Sequence, residues 1–338
     1  MSFNIQENVL LKDFTTLKVG GWARFFMVAK NEEDLKQVFS FAKSRKLPIF
    51  ILGGGSNLLI LDKGFPGLVI KNEIKGLKFI DQADEKIILE IGAGEILDEV
   101  ISLTANRNLF GLENLSGIPG TVGGAVVQNA GAYGSEIKDC LVSVAGLRFP
   151  NGKPFVLDNN DCHFGYRNSC FKKNKKYIIT SVTLILNKKS QVNLKYLSLK
   201  EKLETVEKIT TQTIRQAVLE IRKEKLPDWK NIYSAGSFFK NPVITKDKFD
   251  DLKKIYPNLP GFPESIGLIK VSLAWILDNI CQLKGYREGN VGLYEKQPIV
   301  LVNFGQVRTS EIIKFSEKIK NIVKEKTGIK VEEEVEKC

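Results

Sequence analysis

The chain has 338 residues, 43% of them hydrophobic, which is typical of a globular protein with two or three domains. No apolar run reaches the ~18 residues that span a bilayer, and MSFNIQENVLLKDF at the start lacks the basic leader and apolar core of a secretory signal, so we expect a cytoplasmic protein without membrane insertion. The net charge of +11 is spread in short lysine runs without interleaved aromatic residues, which favours solvated faces and a small anionic ligand over nucleic-acid binding.

The amino-terminal part of the chain predicts alternating helices and strands. Apolar residues at helical spacing, followed by basic residues, predict a helix over 32–46. PIFIL (48–52) predicts a short buried strand that runs directly into glycines, and KIILEIGAG (86–94) repeats this pattern before a predicted helix over 95–107. The arrangement is typical of α/β organisation, in which loops at strand ends can hold a ligand.

The rest of the chain predicts strands that are followed by longer helices. The predicted strands are LVSVAGLRF (141–149), KPFVLD (153–158), YIITSVTLIL (177–186), QPIVLVN (297–303) and IKVEEEVE (329–336), and the predicted helices cover 209–225, 272–285 and 310–328. LPDWK breaks the first of these helices and marks a domain boundary, and Gly328 ends the last helix.

Two glycine-rich segments indicate a ligand site. GGGSN (53–57) follows a buried strand, and consecutive glycine amides can converge on a phosphate. GLENLSGIPGTVGGAVVQNAGAYG (111–134) has seven glycines and too many apolar residues for a linker, so its backbone is expected to approach something closely. GGGSN alone is also consistent with a flexible turn. Together they predict two glycine-lined walls for a long, flat ligand that contains a diphosphate.

Ser237, in NIYSAGSFFKNP (231–242), is the candidate for a reactive hydroxyl. The chain has one histidine, His163, and no GxSxG motif surrounds the serine, which argues against a Ser-His-Asp triad. Ser237 to Lys240 also matches SxxK, and KTG occurs at 326–328, as in penicillin-binding enzymes. Pro242 would end a helix at once, and KTG falls at a predicted helix end instead of on a strand, so we interpret both matches as coincidence.

Two further charged groups are candidates for binding a carboxylate or a developing charge. Arg167, in HFGYRNSCF (163–171), is either a surface residue or a bidentate clamp for a carboxylate. In VEEEVE (331–336), strand alternation would place Glu332 and Glu334 on one side. Such an acidic run is more often a solvated edge.

Other cofactor patterns are incomplete. GAGEIL (92–97) has Leu97 where a dinucleotide fingerprint needs its third glycine, which favours a plain turn, although Glu113 lies at a tolerable distance for a ribose contact. The five cysteines are odd in number and form no CxxC pair, so with a single histidine we expect no metal site and mostly packed, reduced thiols.

The motifs GGGSN, GLENLSGIPGTVGGAVVQNAGAYG, GYRNSCFK, AGSFFKNP and ICQLKG occur in this order, and from Thr15 to the last strand the chain resembles the UDP-N-acetylenolpyruvoylglucosamine reductase family of peptidoglycan synthesis. The resemblance implies an α+β fold: a two-part FAD-binding region of the vanillyl-alcohol-oxidase (PCMH) type and a carboxy-terminal α+β substrate-binding domain. The implied domains are 1–70 joined by the last strand 328–338, then 71–208, and a substrate domain over 209–327.

The resemblance also implies a reaction. NADPH is the co-substrate, and hydride passes through non-covalently bound FAD to the vinyl carbon of UDP-N-acetylglucosamine enolpyruvate, which becomes UDP-N-acetylmuramate. Negative charge then spreads from carbon into the neighbouring carboxylate, and it needs stabilisation and one proton. The resemblance assigns the proton to Ser237 and the polarising roles to Arg167 and Glu334. Because VEEEV replaces the family's Leu-Glu-Pro-Glu, with Glu333 at the proline position, Glu332 is the rival of Glu334.

Binding residues follow from the same resemblance. The implied cofactor contacts are Gly53, Gly54, Gly55, Ser56, Asn57, Leu58, Ile118, Pro119, Gly120, Gly123, Gly124 and Gly131, and the implied substrate contacts are Tyr133, Tyr166, Tyr196, Lys225, Asn241 and Gln297. Tyr196 matches the tyrosine loop of the family's longer form. We expect a monomer in which His163 does not tether the flavin. An FAD-dependent oxidase and a basic nucleic-acid-binding module are the competing hypotheses.

Overall fold

The computed structural model describes residues 4–82, 85–189, 192–228 and 230–338. The chain forms two compact units. The first contains residues up to Val9, Ala23–Gly55 and Phe65–Arg222, and the second contains Leu10–Trp22, Ser56–Gly64 and Lys223–Cys338. The three-part division over 1–70, 71–208 and 209–327 stays a prediction.

The first unit contains a four-stranded sheet that carries the GGGSN segment. Its strands, in spatial order, are Gln6–Leu10, Trp22–Ala29, Phe65–Asn72 and Ile49–Leu52, and the last three pair in parallel. The helix Glu32–Ser44 is capped by Asn31, whose side chain accepts a hydrogen bond from the amide of Asp34. The helix buries an apolar face against this sheet's core. The predicted helix over 32–46 and strand over 48–52 are confirmed.

A five-stranded antiparallel sheet forms the rest of the first unit's framework. Its strands, in spatial order, are Lys153–Asp158, Leu141–Arg148, Tyr177–Asn187, Lys86–Gly92 and Leu77–Asp81. The alternating β-branched and aliphatic residues of the central strand bury one side in a large apolar cluster, as the sequence predicts. The accompanying helices are Leu97–Asn106, Val122–Gln128, Cys170–Lys173, Leu197–Leu203 and Thr211–Lys225, and a short hairpin pairs Gly131–Ala132 with Ser135–Glu136.

The second unit has its own core between antiparallel strands and a long helix. One sheet orders the strands Tyr233–Ser237, Val300–Asn303, Val291–Leu293 and Arg287–Glu288, and another orders Val243–Thr245, Leu268–Val271 and Gly261–Ser265. The helices Lys246–Ile255 and Thr309–Thr327 complete the unit, and Leu58–Leu59 pairs in parallel with Glu336–Lys337. The long helix ends at Gly328, which has a left-handed φ of 68° as the glycine C-cap predicts.

Two predicted elements are wrong in extent. The helix predicted over 272–285 is a short helix, Leu273–Trp275, that continues as a π-helix over Ile276–Ile280, and Gln282 has a left-handed φ of 58° that ends helical geometry. The strand predicted over 329–336 is reduced to one bridge between Phe239 and Glu333 and the two-residue strand Glu336–Lys337.

Within the ranges that the structure describes, no helix is both long and apolar enough to cross a membrane.

Candidate active site

In the first unit the two glycine-rich segments meet, as the sequence predicts. A Cβ atom added to Gly54 would lie 2.5 Å from the Cα of Gly120, and one added to Gly53 would lie 2.7 Å from Oγ1 of Thr121. Gly120 and Gly55 have positive φ angles of 122° and 67°, which glycine adopts readily. The backbones therefore approach as closely as they do only because these positions lack side chains.

The second glycine segment is also packed tightly on the sheet behind it. A Cβ on Gly123 would lie 2.9 Å from the Cβ of Ala93, and the amide of Gly123 donates to the Ala93 carbonyl over 2.9 Å. Lys71, on the central parallel strand, donates from Nζ to the Gly53 carbonyl at 2.5 Å, and burial lowers the pKa of this lysine. Bare backbone and a nearby cation fit a cofactor that carries phosphates. Lys71 is absent from the sequence-based prediction.

Asp98 links the glycine-rich loop to a helix of the first unit. Its Oδ1 accepts from the amide of Gly117 at 2.6 Å, and its two oxygens pair with the Arg215 guanidinium at 2.5 and 2.9 Å. Burial alone would raise the pKa of Asp98, but the hydrogen bonds from Arg215 and Gly117 prevail and lower it. The ionised carboxylate therefore stabilises this part of the fold.

Replacing Asp98 by Asn is expected to lower the free energy of unfolding near pH 7 by about 1–3 kcal/mol, because charge-assisted bonds to Arg215 and Gly117 are lost. The folded pKa lies below the unfolded one, so the contribution is present above the unfolded pKa and disappears as the pH falls through the folded value. Denaturant unfolding of the wild type and of Asp98→Asn, from pH 7 down to below about 4, measures whether their free energies of unfolding converge as the pH falls. Asp161→Asn, at an exposed carboxylate, is the control. If the free energies of unfolding of the wild type and Asp98→Asn differ by the same amount at every pH, the assignment is contradicted.

Arg167 lies in a tight hairpin of the first unit. Gly165 and Asn168 exchange backbone hydrogen bonds of 3.0 and 3.1 Å, and Arg167 between them has a left-handed φ of 53°. Its guanidinium donates to the Gly131 carbonyl at 2.8 Å, and it lies over the ring of Tyr166 with 5.4 Å to the centroid. Arg167, Tyr166 and Gly131, which the sequence analysis assigns to three different roles, are therefore neighbours.

Tyr133 and Tyr196 pack edge to face, with ring centroids 5.1 Å apart. Burial raises the pKa of Tyr133 to about 12, although the nearby Arg222 guanidinium acts against the shift. Burial also raises the pKa of Tyr196. Both phenols are therefore neutral hydrogen-bonding groups at physiological pH, and the structure brings together two of the predicted substrate contacts.

Ser237 ends a strand of the second unit at a bulge. Ser234 pairs with Val302 and Ser237 with Val300, so one extra residue lies between them on the serine's strand. Gly236 supplies the left-handed φ of 70° at this bulge. A bulge turns the following side chain away from simple alternation, and here it sets the direction of the Ser237 side chain.

Two buried aromatic residues anchor Ser237 on its other side. Phe238 and Phe239 are fully buried and pack edge to face at 5.1 Å. The Phe238 amide donates to the Ile299 carbonyl at 3.0 Å, and its carbonyl accepts from the Glu334 amide at 2.8 Å. The serine therefore stands on a rigid backbone.

The acidic segment 332–334 pairs with residues 238–240 of the second unit. Glu332 forms an ion pair with Lys240, with 3.0 Å between Nζ and Oε2, and its side chain is 74% exposed. Glu333 is mostly buried and bonds to Ser316 at 3.1 Å and to Lys337 at 2.6 Å. Glu334 is bonded through its backbone to Phe238, the residue after Ser237. The carboxylates of Glu332 and Glu333 thus have different environments.

The remaining predicted residues lie on loops and element ends. In the second unit, Asn57 donates from Nδ2 to the Glu334 carbonyl at 3.2 Å, and Asn241 accepts from the Leu273 amide through Oδ1 at 3.0 Å. Gln297 forms part of the turn before Val300–Asn303. Lys225 ends its helix; Ser56 and Leu58 flank Asn57; Ile118, Pro119 and Gly124 belong to the glycine-rich segment of the first unit.

The structure supports the rejection of the other motifs. Ser237 ends a strand instead of beginning a helix, and KTG lies at the end of the helix Thr309–Thr327. GAGEIL forms a turn in which the Gly94 amide donates to the Ile74 carbonyl. His163 is exposed. Cys140, Cys162 and Cys281 are buried, and burial raises the pKa of the Cys140 and Cys162 thiols to about 12, as expected for packed thiols.

Comparison with known proteins agrees with this geometry. Residues 23–158 match the model of an FAD binding domain, and residues 228–338 match the model of the carboxy-terminal domain of UDP-N-acetylenolpyruvoylglucosamine reductase. The expected α+β fold with an FAD-binding region and a carboxy-terminal domain of this reductase type is confirmed, and the class of protein is an FAD-dependent oxidoreductase. A protein named UDP-N-acetylenolpyruvoylglucosamine reductase from Pseudomonas aeruginosa is 36% identical over 337 residues, 99% of each chain, and one from Flavobacterium johnsoniae is 38% identical over 336 residues, 98% of each. The chain belongs to the UDP-N-acetylenolpyruvoylglucosamine reductase family.

A solved structure of similar architecture supports the same assignment. The UDP-N-acetylenolpyruvylglucosamine reductase (MurB) from Thermus caldophilus is 29% identical, with a TM-score of 0.69 and 99% of both chains covered. The resemblance that the sequence motifs carry is therefore confirmed at the level of the family.

Proposed function

We propose that this protein is an NADPH-dependent reductase that converts UDP-N-acetylglucosamine enolpyruvate to UDP-N-acetylmuramate in peptidoglycan synthesis. The observation that carries the proposal is the rigid placement of Ser237 at a bulge, with the 332–334 segment paired to the next three residues. Family membership supports the substrate, and the glycine walls that need bare backbone at Gly53, Gly54 and Gly120 support the cofactor. Bound FAD would supply hydride to the vinyl carbon, with NADPH as the source of electrons.

The chain's own residues supply the proton and the charge stabilisation. We assign proton donation to the hydroxyl of Ser237, which gives its proton to the carbon that lies next to the carboxylate after hydride addition. A neutral hydroxyl suffices, because the carbanion that forms next to the carboxylate is a stronger base than the alkoxide that the serine leaves behind. Arg167 and Glu334 are assigned to polarise the substrate carboxylate, so that charge spreads onto its oxygens.

Glu334 is favoured over Glu332 as the catalytic carboxylate. Glu332 is largely exposed and neutralised by Lys240 at 3.0 Å. In contrast, the backbone amide of Glu334 donates to the carbonyl of Phe238, the residue after Ser237. A carboxylate held next to the serine's strand can act on the same substrate group, whereas an exposed, paired one is typical of a surface edge.

Binding roles complete the proposal. The residues proposed to hold FAD without a covalent bond are Gly53, Gly54, Gly55, Ser56, Asn57, Leu58, Ile118, Pro119, Gly120, Gly123, Gly124 and Gly131. The proposed substrate contacts are Tyr133, Tyr166, Tyr196, Lys225, Asn241 and Gln297. We further propose a monomer that works in the cytoplasm. The phenols of Tyr133 and Tyr196 stay neutral, because their pKa values are raised, and so suit hydrogen bonding to an anionic nucleotide.

The purified protein should be yellow and should oxidise NADPH only when the enolpyruvyl sugar nucleotide is present. An FAD-dependent oxidase would instead consume oxygen with an alcohol or aldose, and a nucleic-acid-binding module would be colourless and would be retained on DNA in a salt-dependent manner. An absorption spectrum and NADPH turnover with and without the sugar nucleotide distinguish the three. A yellow protein that ignores the sugar nucleotide contradicts the proposal.

A further inference from the structure

Asn129 occupies an unusual position at the end of a short helix of the first unit. It follows Val122–Gln128, has a left-handed φ of 46° and is completely buried. Asparagine and glycine are the residues that adopt this backbone conformation most readily. Glycine would satisfy the backbone without burying an amide, so the presence of asparagine calls for a role of the side chain.

The side chain of Asn129 bonds to the hairpin that carries Arg167. Its Nδ2 donates to the Gly165 carbonyl at 3.0 Å and to Oε2 of Glu136 at 3.0 Å. Its Oδ1 has no hydrogen-bond partner among the described residues. Burying an amide with an unsatisfied oxygen is unfavourable, so stability alone does not favour this side chain over glycine.

Neighbouring contacts attach the same two segments to each other. Ser169 Oγ donates to the Val127 carbonyl at 2.7 Å, and Lys172 Nζ donates to Oε1 of Gln128 at 2.6 Å and to the Arg167 carbonyl at 3.1 Å. The Arg167 guanidinium completes the set through its bond to the Gly131 carbonyl. Asn129 lies in the middle of the 127–131 segment, which accepts the bonds from Ser169, from Lys172 to Gln128 and from the Arg167 guanidinium.

We propose that Asn129 is a positioning residue for Arg167. Its amide fixes the carbonyl of Gly165 at the base of the hairpin, and its left-handed backbone directs the chain toward Gly131, the acceptor of the guanidinium. Asparagine is suited to both tasks, because it combines this conformation with two amide donors. The inference rests on the proposed role of Arg167 in binding the substrate carboxylate.

Asn129→Gly is the sharpest test, because glycine keeps the left-handed backbone and removes only the amide. Flavin reduction by NADPH should keep its wild-type rate in stopped-flow absorbance. Reoxidation of the reduced flavin by the enolpyruvyl sugar nucleotide should slow by about tenfold to about a hundredfold, as expected for a misplaced catalytic group. Asn129→Asp, which keeps the size but loses both donors, should behave in the same way, and circular dichroism with thermal unfolding checks that each variant is folded.

A double-mutant cycle separates positioning from a general structural effect. Combined with Arg167→Ala, the Asn129→Gly change should slow reoxidation no further, because the residue that it positions is gone. Wild-type reoxidation in folded Asn129→Gly and Asn129→Asp, or losses that multiply with that of Arg167→Ala, overturn the inference. If Arg167→Ala alone reoxidises at the wild-type rate, the proposed role of Arg167 is wrong and this inference fails with it. That result is distinct from wild-type rates in the Asn129 variants and from losses that multiply, which overturn only the role of Asn129.

Discussion

Ser237→Ala is expected to leave the protein yellow and its reduction by NADPH unchanged, while reoxidation by the enolpyruvyl sugar nucleotide slows at least about a hundredfold. Removing one polar group that acts only on the developing charge typically costs about 3 kcal/mol of barrier. Alanine fits the strand, since Ser237 lies opposite Val300 in the strand register and strand pairing uses backbone groups. Stopped-flow absorbance of the flavin measures the two half-reactions separately.

The size of the effect follows from how Ser237 is held. The bulge at Gly236 and the buried Phe238 and Phe239 leave the serine backbone little freedom, so the hydroxyl attached to it is held in position. A water that replaced the lost hydroxyl would lack this attachment and would not be oriented for proton transfer. The loss should therefore appear in the rate of reoxidation at saturating substrate, more than in the concentration of substrate that half-saturates it.

A matched control lies on the same strand. Ser234 is buried on the other side of the bulge, opposite Val302, and its replacement by alanine also removes one hydroxyl from Tyr233–Ser237. Ser234→Ala should reoxidise within about threefold of wild type, a change of less than about 1 kcal/mol. Normal turnover in Ser237→Ala, or equal losses in both variants, would show that the hydroxyl of Ser237 is not the specific proton donor.

The regular elements of this fold are readable from residue patterns, because each has one dominant local signal. The helix Glu32–Ser44 has an apolar stripe and an asparagine cap, and the helix Thr309–Thr327 ends at a glycine. The 272–285 segment has an equally apolar pattern but becomes a π-helix and a left-handed turn at Gln282. That deviation depends on packing in the second unit's core, which hydrophobic periodicity does not report.

The candidate site is predictable where motifs are continuous in the sequence and much less so where they are not. The glycine segments and Ser237 stand out because they are compact and chemically unusual. Lys71, Asp98 and Asn129 give weaker signals: one lysine in an apolar strand, one acidic residue in the first turn of a helix, and one asparagine inside the second glycine-rich segment. Their partners lie from 7 to 117 residues away, so only the folded chain shows what they hold.

The glycine wall gives the second large prediction: Gly54→Ala should bind FAD about tenfold to about a hundredfold more weakly. An added Cβ would lie 2.5 Å from the Cα and 3.1 Å from the carbonyl carbon of Gly120, so the backbone of one wall must move. Overpacking of this kind costs about 1–3 kcal/mol, which corresponds to about fivefold to about 150-fold in affinity and includes the expected range. Flavin content after purification and titration of the apoprotein with FAD measure the loss.

Two alanine variants make the result interpretable. In Gly53→Ala the nearest atom is Oγ1 of Thr121, at 2.7 Å, while the nearest backbone atom, the Cα of Gly124, is 4.0 Å away. Only a side chain must move, at the cost of its 3.3 Å bond from the Gly124 amide, so this variant should lose less affinity than Gly54→Ala. Gly165→Ala, outside both glycine segments, meets only the Cβ of Asn168 at 3.9 Å and should bind FAD as the wild type does. With folding of each variant verified by circular dichroism, wild-type FAD affinity in Gly54→Ala would mean that the close approach of Gly54 and Gly120 does not form the cofactor's wall. If the loss of FAD affinity is largest in Gly54→Ala, smaller in Gly53→Ala and absent in Gly165→Ala, FAD binding depends on the space that these glycines leave open.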